Sequence, residues 1–260
     1  MTAASKPHTA IMAALPPPFR LTALDLVDST NDELRRLAVD GAVHGAVVVA
    51  AEQTAGRGRR GRSWVSPRGN LHCSILLDPG PKPETAPQLA FVAAVALVEA
   101  LSQVAPGVAF RCKWPNDILC EGRKVAGMLL EMAPPWVILG VGVNLVEAPD
   151  PALYPAVCLR ELGCPALPLD LLAAFCQRLA EWHGRWRAEG FAPLRQAWLD
   201  HATGVGGPVI VRLADATERH GRFAGLDGGG ALLLEAPDGS RQSVLAGDVF
   251  FAAEQSSAKE

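Results

Sequence analysis

Apolar residues occur along most of the chain in runs separated by turn-forming segments, and the run lengths distinguish strands from helices. Short apolar or alternating runs predict strands at residues 20–27, 46–51, 71–77, 108–113, 118–120, 124–132 and 136–144. Longer apolar or amphipathic stretches predict helices at about 31–39, 84–104, 169–189 and 191–199. Thr30 and Glu33 have the spacing of a capping box at the start of the first helix, and Gly41 would end it.

The pattern changes after residue 203. A glycine-rich segment at 203–208 is followed only by short strands, predicted at 209–213, 218–225, 231–235 and 241–246, with turn-forming segments between them. Fewer than 50 residues of strands suggest a small β-barrel. We therefore expect a flexible tail at 1–18, a large domain at 19–203, a C-terminal β-barrel at 207–253 and a second tail at 254–260.

Composition excludes several classes of protein. The formal net charge of −3 argues against a dedicated nucleic-acid binder, which usually carries a basic surplus. The six cysteines include no CxxC pair, so a zinc site is not expected and the thiols are interpreted as reduced. The N-terminus lacks the features of a secretory signal, and the longest apolar run, about ten residues from Leu89 to Val98, is too short to cross a bilayer. These features favour a cytoplasmic protein without a membrane partner.

One loop departs from this acidic balance. The segment 56–62 reads GRGRRGR, with four arginines, three glycines and no acidic residue, directly after a predicted buried strand. Arginine offers paired donors to phosphate, and glycine lets the backbone approach a ligand closely. We expect the loop to be mobile until an anionic ligand neutralises it. A solvated basic loop, or a patch that binds RNA, is the alternative for such a segment.

Three other segments could carry chemistry. The sequence KWPND at 113–117, with Lys124 nearby, combines positive charges with oxygen ligands for a phosphate-bound Mg²⁺, although Pro-Asn-Asp is usually a turn. The sequence GVGVN at 140–144 places glycines inside a strand, which indicates close packing by a ligand ring or by a helix. Ser29, Thr30 and Asn31 at a helix N-terminus could bind an anion or carbonyl oxygen, or only cap the helix.

In this order, the segments resemble the catalytic core of the biotin–protein ligases, in the short form without an N-terminal DNA-binding domain. The similarity by motif covers about residues 21–144, and GRGRRGR followed by KWPND is a specific combination. The resemblance implies an α+β fold of the class II synthetase-like biotin/lipoate ligase type, with a mixed-sheet domain that binds biotin and ATP and a small C-terminal β-barrel. Because only about 20 residues precede the core, no repressor function and no DNA partner are expected.

The resemblance also implies roles for individual residues. The biotin site would comprise Ser29, Thr30, Asn31, Gln53, Gly56, Arg57, Gly58, Arg59, Trp64, Lys124 and Gly127. The ATP and adenylate site would comprise Arg59, Arg62, Lys113, Asn116, Asp117, Lys124 and Asn144. Lys124 and Arg59 would act in catalysis, with Lys124 at the biotin carboxylate, and Asp117 would contact Mg²⁺ brought in with ATP.

The activity implied is the formation of biotinyl-5′-AMP from biotin and ATP, followed by transfer of biotin to a lysine of a biotin carboxyl carrier domain. The resemblance is compatible with a homodimer or a monomer. A lipoate–protein ligase, which shares fold and chemistry, is the nearest alternative. A non-catalytic biotin-binding protein and an Arg/Gly-loop nucleic-acid-binding module are the others.

Overall fold

The computed structural model describes residues 15–149 and 155–251. Most of the predicted tail at 1–18 and all of the predicted tail at 254–260 lie outside the described residues. The strands are β1 Arg20–Val27, β2 Ala46–Gln53, β3 Leu71–Leu77, β4 Phe110–Lys113, β5 Asp117–Cys120, β6 Arg123–Ala133, β7 Trp136–Val143, β8 Pro208–Arg212, β9 Glu218–Leu226, β10 Leu232–Glu235, β11 Arg241–Val244 and β12 Asp248–Phe251. The helices are α1 Thr30–Val39, α2 Leu89–Val104, α3 Pro168–Glu189 and α4 Phe191–His201.

The first seven strands form one sheet in the order β1-β2-β3-β7-β6-β5-β4. Strands β1 and β2 are parallel, and the remaining neighbours are antiparallel, so the sheet is mixed. With the helices and a second, wholly antiparallel sheet, this is the expected α+β fold.

Both faces of the central strands are covered, which explains their uninterrupted apolar sequences. On one face Val47 and Val49 of β2 join the large core formed with α2, α3 and α4. On the other face Val48 packs with Leu34 of α1. A strand buried on both sides has no polar face, so its sequence does not alternate. Helix α1 therefore lies across one face, and its N-terminus reaches the end of β2.

Two local predictions differ from the structure. The predicted helix at 84–104 is divided into a 3-10 helix, Pro83–Gln88, and α2. Pro87 lacks an amide hydrogen and its ring blocks the preceding turn, so the α-helix begins only after it. The predicted capping box is wrong, because the N-cap of α1 is Ser29 and its side chain makes no capping hydrogen bond. The Glu33 carboxylate accepts a hydrogen bond from Arg36 instead.

The C-terminal strands form a five-stranded antiparallel sheet in the order β11-β10-β9-β8-β12. Four strands were predicted, and β12 was missed because only three residues separate β11 from it. This sheet contacts the large domain directly. The indole Nε1 of Trp114 donates to the carbonyl of Gly230 at 3.1 Å, and Arg195 Nε donates to the carbonyl of Leu226 at 2.7 Å. Consequently β12 lies beside the arginine-rich loop.

The segment Pro83–Val104 is long and apolar enough to cross a membrane, but two thirds of the qualifying window is buried inside the protein. It packs against α3 and α4. The segment is therefore a core helix.

Candidate active site

The arginine-rich loop, residues 56–62, leaves the end of β2 and closes on itself as a narrow hairpin. The amide of Gly58 donates to the carbonyl of Arg62 at 2.7 Å, and the amide of Trp64 donates to the carbonyl of Gly56 at 2.9 Å. A single 3-10 turn, Arg59–Gly61, forms the tip, with Arg60 at φ 57° and Gly61 at φ 72°. A side chain on Gly56 would collide with Trp64 and Ser66, so only glycine fits at the base.

The loop arginines have acidic partners from distant parts of the chain. Arg57 pairs with Asp32 and Glu131, and Arg60 and Arg62 both pair with Asp248 of β12. Three of the four loop arginines therefore have counter-charges within the protein, and the predicted mobility of the loop without an anionic ligand stays a prediction. The acids were missed because no acidic residue lies within the loop itself.

Arg59 points toward the KWPND segment. One of its terminal nitrogens donates to Asn116 Oδ1 at 3.0 Å. Burial lowers the pKa of the Arg59 guanidinium, and the charges of Asp248 and Asp117 oppose that shift. Asn116 is itself fixed, because its Nδ2 donates to the Met128 carbonyl at 2.6 Å. The loop tip and the start of β5 therefore meet across one cavity.

At the other end of this cavity, polar groups gather at the N-terminus of α1. The Gln53 Oε1 atom accepts from the backbone amide of Thr30 at 2.8 Å, and Gln53 Nε2 donates to Ser66 Oγ at 2.8 Å. The Ser74 hydroxyl lies 2.7 Å from Thr30 Oγ1 and 2.5 Å from Asn31 Oδ1. Gln53 thus supplies to α1 the acceptor that the predicted capping box did not. These aligned donors and acceptors suit a neutral polar group such as a ureido ring.

Lys124 lies between the two ends. Its Nζ is 2.7 Å from Asp117 Oδ1 and 5.4 Å from the centroid of the Trp64 ring. Gly127 makes room for it, because a Cβ there would lie 3.1 Å from Nζ. Lys113, although only 4% exposed, also borders the cavity, with Nζ 5.2 Å from the Phe251 ring centroid. Two ammonium groups therefore face one cavity.

The glycines of the GVGVN segment are covered by the protein itself. The Trp64 indole lies directly over Gly142, where a Cβ would be 2.5 Å from Cζ2, and Asn31 lies over Gly140. The close packing that the sequence predicts is therefore present at both glycines: a helix covers Gly140 through Asn31 of α1, and the protein's own Trp64 ring covers Gly142. The Trp64 Nε1 atom has no acceptor among the described residues, so packing and the Lys124 charge hold the indole.

Most residues singled out from the sequence border this one cavity. The members that line it are Ser29, Thr30, Asn31, Gln53, Arg57, Gly58, Arg59, Arg62, Trp64, Lys113, Asn116, Asp117, Lys124 and Gly127. Gly56 lies at the loop base instead. Asn144 is buried behind β6, where its Nδ2 donates to the carbonyls of Lys124 and Val157 at 3.4 and 3.3 Å. The side-chain amide of Asn144 therefore braces the backbone behind β6, and its expected contact with the nucleotide stays a prediction.

Both parts of the chain are similar to known protein families. The model of the biotin/lipoate A/B protein ligase family matches residues 23–144, and that of the biotin protein ligase C terminal domain matches 205–252. A biotin–[acetyl-CoA-carboxylase] ligase of Paracoccus denitrificans is 44% identical over 236 residues, which are 86% of this chain and 97% of the relative. The chain belongs to the biotin protein ligases.

More distant relatives agree. The corresponding ligase of Mycobacterium tuberculosis is 34% identical, with 85% of each chain covered. Among solved structures, a biotin protein ligase from Aquifex aeolicus in complex with biotin and ATP has a TM-score of 0.78 at 28% identity, covering 88% of this chain and 97% of that one.

Three acids of this biotin protein ligase were not anticipated. Asp248 borders the cavity, whereas Asp32 and Glu131 reach the loop from outside it. Asp248 follows a turn in the C-terminal sheet, and Glu131 is the one charged residue in the stretch Val125–Ala133 of β6. A charge inside an apolar stretch was the one feature that could have drawn attention to Glu131, because such a charge is costly unless it is paired.

Proposed function

We propose that this biotin protein ligase activates biotin with ATP in the described cavity and then transfers it to a lysine of a carrier domain. The observation that carries this assignment is the placement of Lys124 between two chemically different ends of one cavity. One end presents neutral polar groups around Gln53, and the other presents guanidinium groups of the loop.

The polar end suits the fused-ring head of biotin. Gln53 and Thr30 are already oriented by hydrogen bonds to each other, and Ser29 lies beside them at the N-terminus of α1. A helix N-terminus presents free amides and a partial positive charge to a carbonyl oxygen. The valeryl carboxylate of biotin would then extend along Trp64 toward the Lys124 ammonium.

The cationic end suits the triphosphate. In the first step a biotin carboxylate oxygen attacks the α-phosphorus of ATP, a P–O bond forms, and pyrophosphate leaves with the electron pair of the broken P–O bond. Two anions must approach each other, so positive charge has to offset their repulsion and the charge that develops on pyrophosphate. Lys124 would serve the first need, and Arg59, Arg62 and Lys113 the second.

The second step needs no enzyme nucleophile. The neutral amine of the acceptor lysine attacks the acyl carbon of biotinyl-5′-AMP, an amide bond forms, and AMP leaves as its phosphate anion while the amine loses a proton. Because water would also hydrolyse the adenylate, the arginine-rich loop has to exclude water from it. We propose that the loop closes further when the anhydride is present.

Mg²⁺ would enter with ATP. No group of three or more potential metal ligands is found among residues 15–149 and 155–251, and Asp117 offers one carboxylate next to Asn116. One carboxylate fits a cation held mainly by phosphates, as is usual for Mg²⁺ at nucleotide sites. Bound there, Mg²⁺ would neutralise phosphate charge. The Lys124–Asp117 contact implies that both groups rearrange when Mg-ATP binds.

The acceptor is proposed to be a biotin carboxyl carrier domain, as the name of the Paracoccus relative suggests, and the place of action the cytoplasm. A homodimer is compatible with this function, because every cavity-lining residue named here comes from one chain.

A biotin transfer assay tests the proposal. Wild-type protein with ATP, Mg²⁺ and a carrier domain should incorporate biotin and release one pyrophosphate per adenylate formed. Lys124→Ala should slow adenylate formation by on the order of 10²-fold, the usual loss when a transition-state charge partner is removed. Lys82→Ala is the matched control. Lys82 is exposed and is not among the residues that line the cavity, so this variant should keep the wild-type rate of adenylate formation.

Each alternative has a distinct outcome in this assay. Incorporation of lipoate but not biotin would show a lipoate ligase, and biotin binding without pyrophosphate release would show a binding protein. Near wild-type adenylation by Lys124→Ala would contradict the role given to Lys124.

A further inference from the structure

Arg57 is held by the carboxylates of Asp32 and Glu131. Its terminal nitrogens meet both oxygens of Asp32 at 2.5 and 2.7 Å, which is a two-point contact. Its Nε and one terminal nitrogen meet the two oxygens of Glu131 at 3.2 and 3.1 Å. Two-point guanidinium–carboxylate contacts fix orientation as well as distance. The first arginine of the loop is therefore clamped to α1 and to β6 together.

Glu131 is fixed in turn. Its Oε2 accepts from Asn31 Nδ2 and from Arg35, each at 3.0 Å. Asn31 Oδ1 then accepts from the buried Ser74 hydroxyl. A continuous series of hydrogen bonds thus runs from the loop base to the polar end of the cavity, where biotin is proposed to bind.

The carboxylates act from outside the cavity. Neither Asp32 nor Glu131 is among the described residues that line it. Hydrogen bonds from Arg57 lower the pKa of Asp32. Burial alone would raise the pKa of Glu131, but hydrogen bonds from Arg57 and Asn31 outweigh it and lower that pKa as well. Both groups therefore remain charged near neutral pH.

The other loop arginines have a different environment. Arg59 faces Asn116, and Arg60 and Arg62 face Asp248, all on the proposed nucleotide side. Arg57 therefore lines the cavity with a guanidinium that the protein holds in place, whereas Arg59 and Arg62 line the part of the cavity assigned to ATP. The loop has a fixed base and a tip with a separate set of contacts.

We propose that Asp32 and Glu131 are positioning residues that hold Arg57 and so keep the base of the loop in its biotin-binding conformation before biotin arrives. The inference rests on the proposed biotin site. A loop base already in place spares biotin the cost of ordering it, so the carboxylates set the affinity for biotin. They leave the chemical step unchanged, because neither reaches the reacting atoms.

The test compares Asp32→Asn and Glu131→Gln with wild-type protein in equilibrium biotin binding and in adenylation kinetics. The Kd and KM for biotin should rise about 5- to 10-fold, as expected for loss of a partly buried charge-assisted contact. The kcat for adenylation should stay within about 2-fold. Glu33→Gln, which removes a carboxylate paired with Arg36 on the same helix, is the matched control and should leave biotin affinity unchanged.

A double-mutant cycle shows whether the carboxylates act through Arg57. In an Arg57→Gln background, Asp32→Asn should add no further loss of biotin affinity. An equal loss in both backgrounds, an unchanged Kd in both single variants, or a loss of kcat alone would each overturn the proposal.

Limited trypsin digestion gives a readout that does not need biotin. Cleavage within residues 57–62 of ligand-free protein should be faster in Asp32→Asn than in Glu33→Gln. If wild-type protein bound no biotin while this difference persisted, the proposed function would fail and the positioning of the loop base would stand. Equal cleavage rates would count against the positioning role.

Discussion

Gly142 lies beneath the Trp64 indole, and replacing it with alanine tests the floor of the cavity. A Cβ on Gly142 would lie 2.5 Å from Trp64 Cζ2 and 2.6 Å from Nε1, nearer than real Cβ atoms approach other atoms. The backbone has little freedom to yield, because β7 is hydrogen-bonded to β3 on one side and β6 on the other. The indole must therefore move.

The energetic consequence follows from what the indole loses. Forcing a methyl group into a packed site costs about 1–3 kcal/mol. Displacing Trp64 also weakens its contact with the Lys124 ammonium, a cation–π interaction that contributes about 0.5–1 kcal/mol where it is partly exposed. Because these losses overlap, we expect Gly142→Ala to lower the free energy of unfolding by about 1–3 kcal/mol.

Urea unfolding measures the change, with the m-value checked for constancy. Gly184→Ala is the matched control, since Gly184 lies inside α3 with nothing within 4 Å of its added Cβ. That variant should be stabilised by about 0.5–1 kcal/mol through helix propensity. The displaced indole should also weaken biotin binding in Gly142→Ala only.

A second background sharpens the test. When Trp64 is first changed to alanine, the space over Gly142 is open, so Gly142→Ala should then cost little. Wild-type stability and biotin affinity in Gly142→Ala, or an equal loss in the Trp64→Ala background, would refute the placement of the indole over Gly142.

Three further outcomes follow from the geometry. Asn144→Ala should lower the free energy of unfolding by about 1–3 kcal/mol in urea titrations, since the buried Val157 carbonyl loses the side-chain amide that donates to it, whereas the Lys124 carbonyl keeps the Val157 amide as a donor. An undiminished stability would argue against the brace. Arg59→Gly should increase the rate at which biotinyl-5′-AMP leaves the protein, followed by chase with unlabelled ligand, and an unchanged rate would contradict closure of the loop over it. Burial lowers the pKa of both stacked histidines, His44 and His183, below the unfolded value of about 6.5. Their contribution to stability is therefore full above about pH 6.5 and is lost as the pH falls through the folded-state pKa, so His183→Gln should flatten the pH dependence of unfolding in that range.

Most helices and strands were predictable from the sequence. The strands at 20–27 and 71–77 and the helix at 169–189 agree with β1, β3 and α3 to within a residue. Such elements follow from apolar runs and periodicity, which depend only on neighbours in the chain. The residue types at the cavity were also evident, because clustered arginines and glycines are unusual in an acidic chain.

The counter-charges of the loop were decided by the tertiary structure alone. Arg57 meets Asp32 and Glu131, which are 25 and 74 residues away, and Arg62 meets Asp248, 186 residues away. These pairs exist because the sheet order places β6 beside β7 and because the C-terminal sheet docks on the large domain.

The same distinction between local sequence pattern and tertiary contacts explains why the surroundings of Gly142 and Asn144 were not predicted. Glycines inside β7 indicate that something packs closely on the strand, but only the folded chain shows that it is Trp64 at Gly142. Asn144 carries the side chain expected of a ligand contact, yet it faces the backbone behind β6. Hydrophobic pattern is a local property of the chain, whereas ion pairs and close contacts depend on which distant segments the fold brings within a few ångströms.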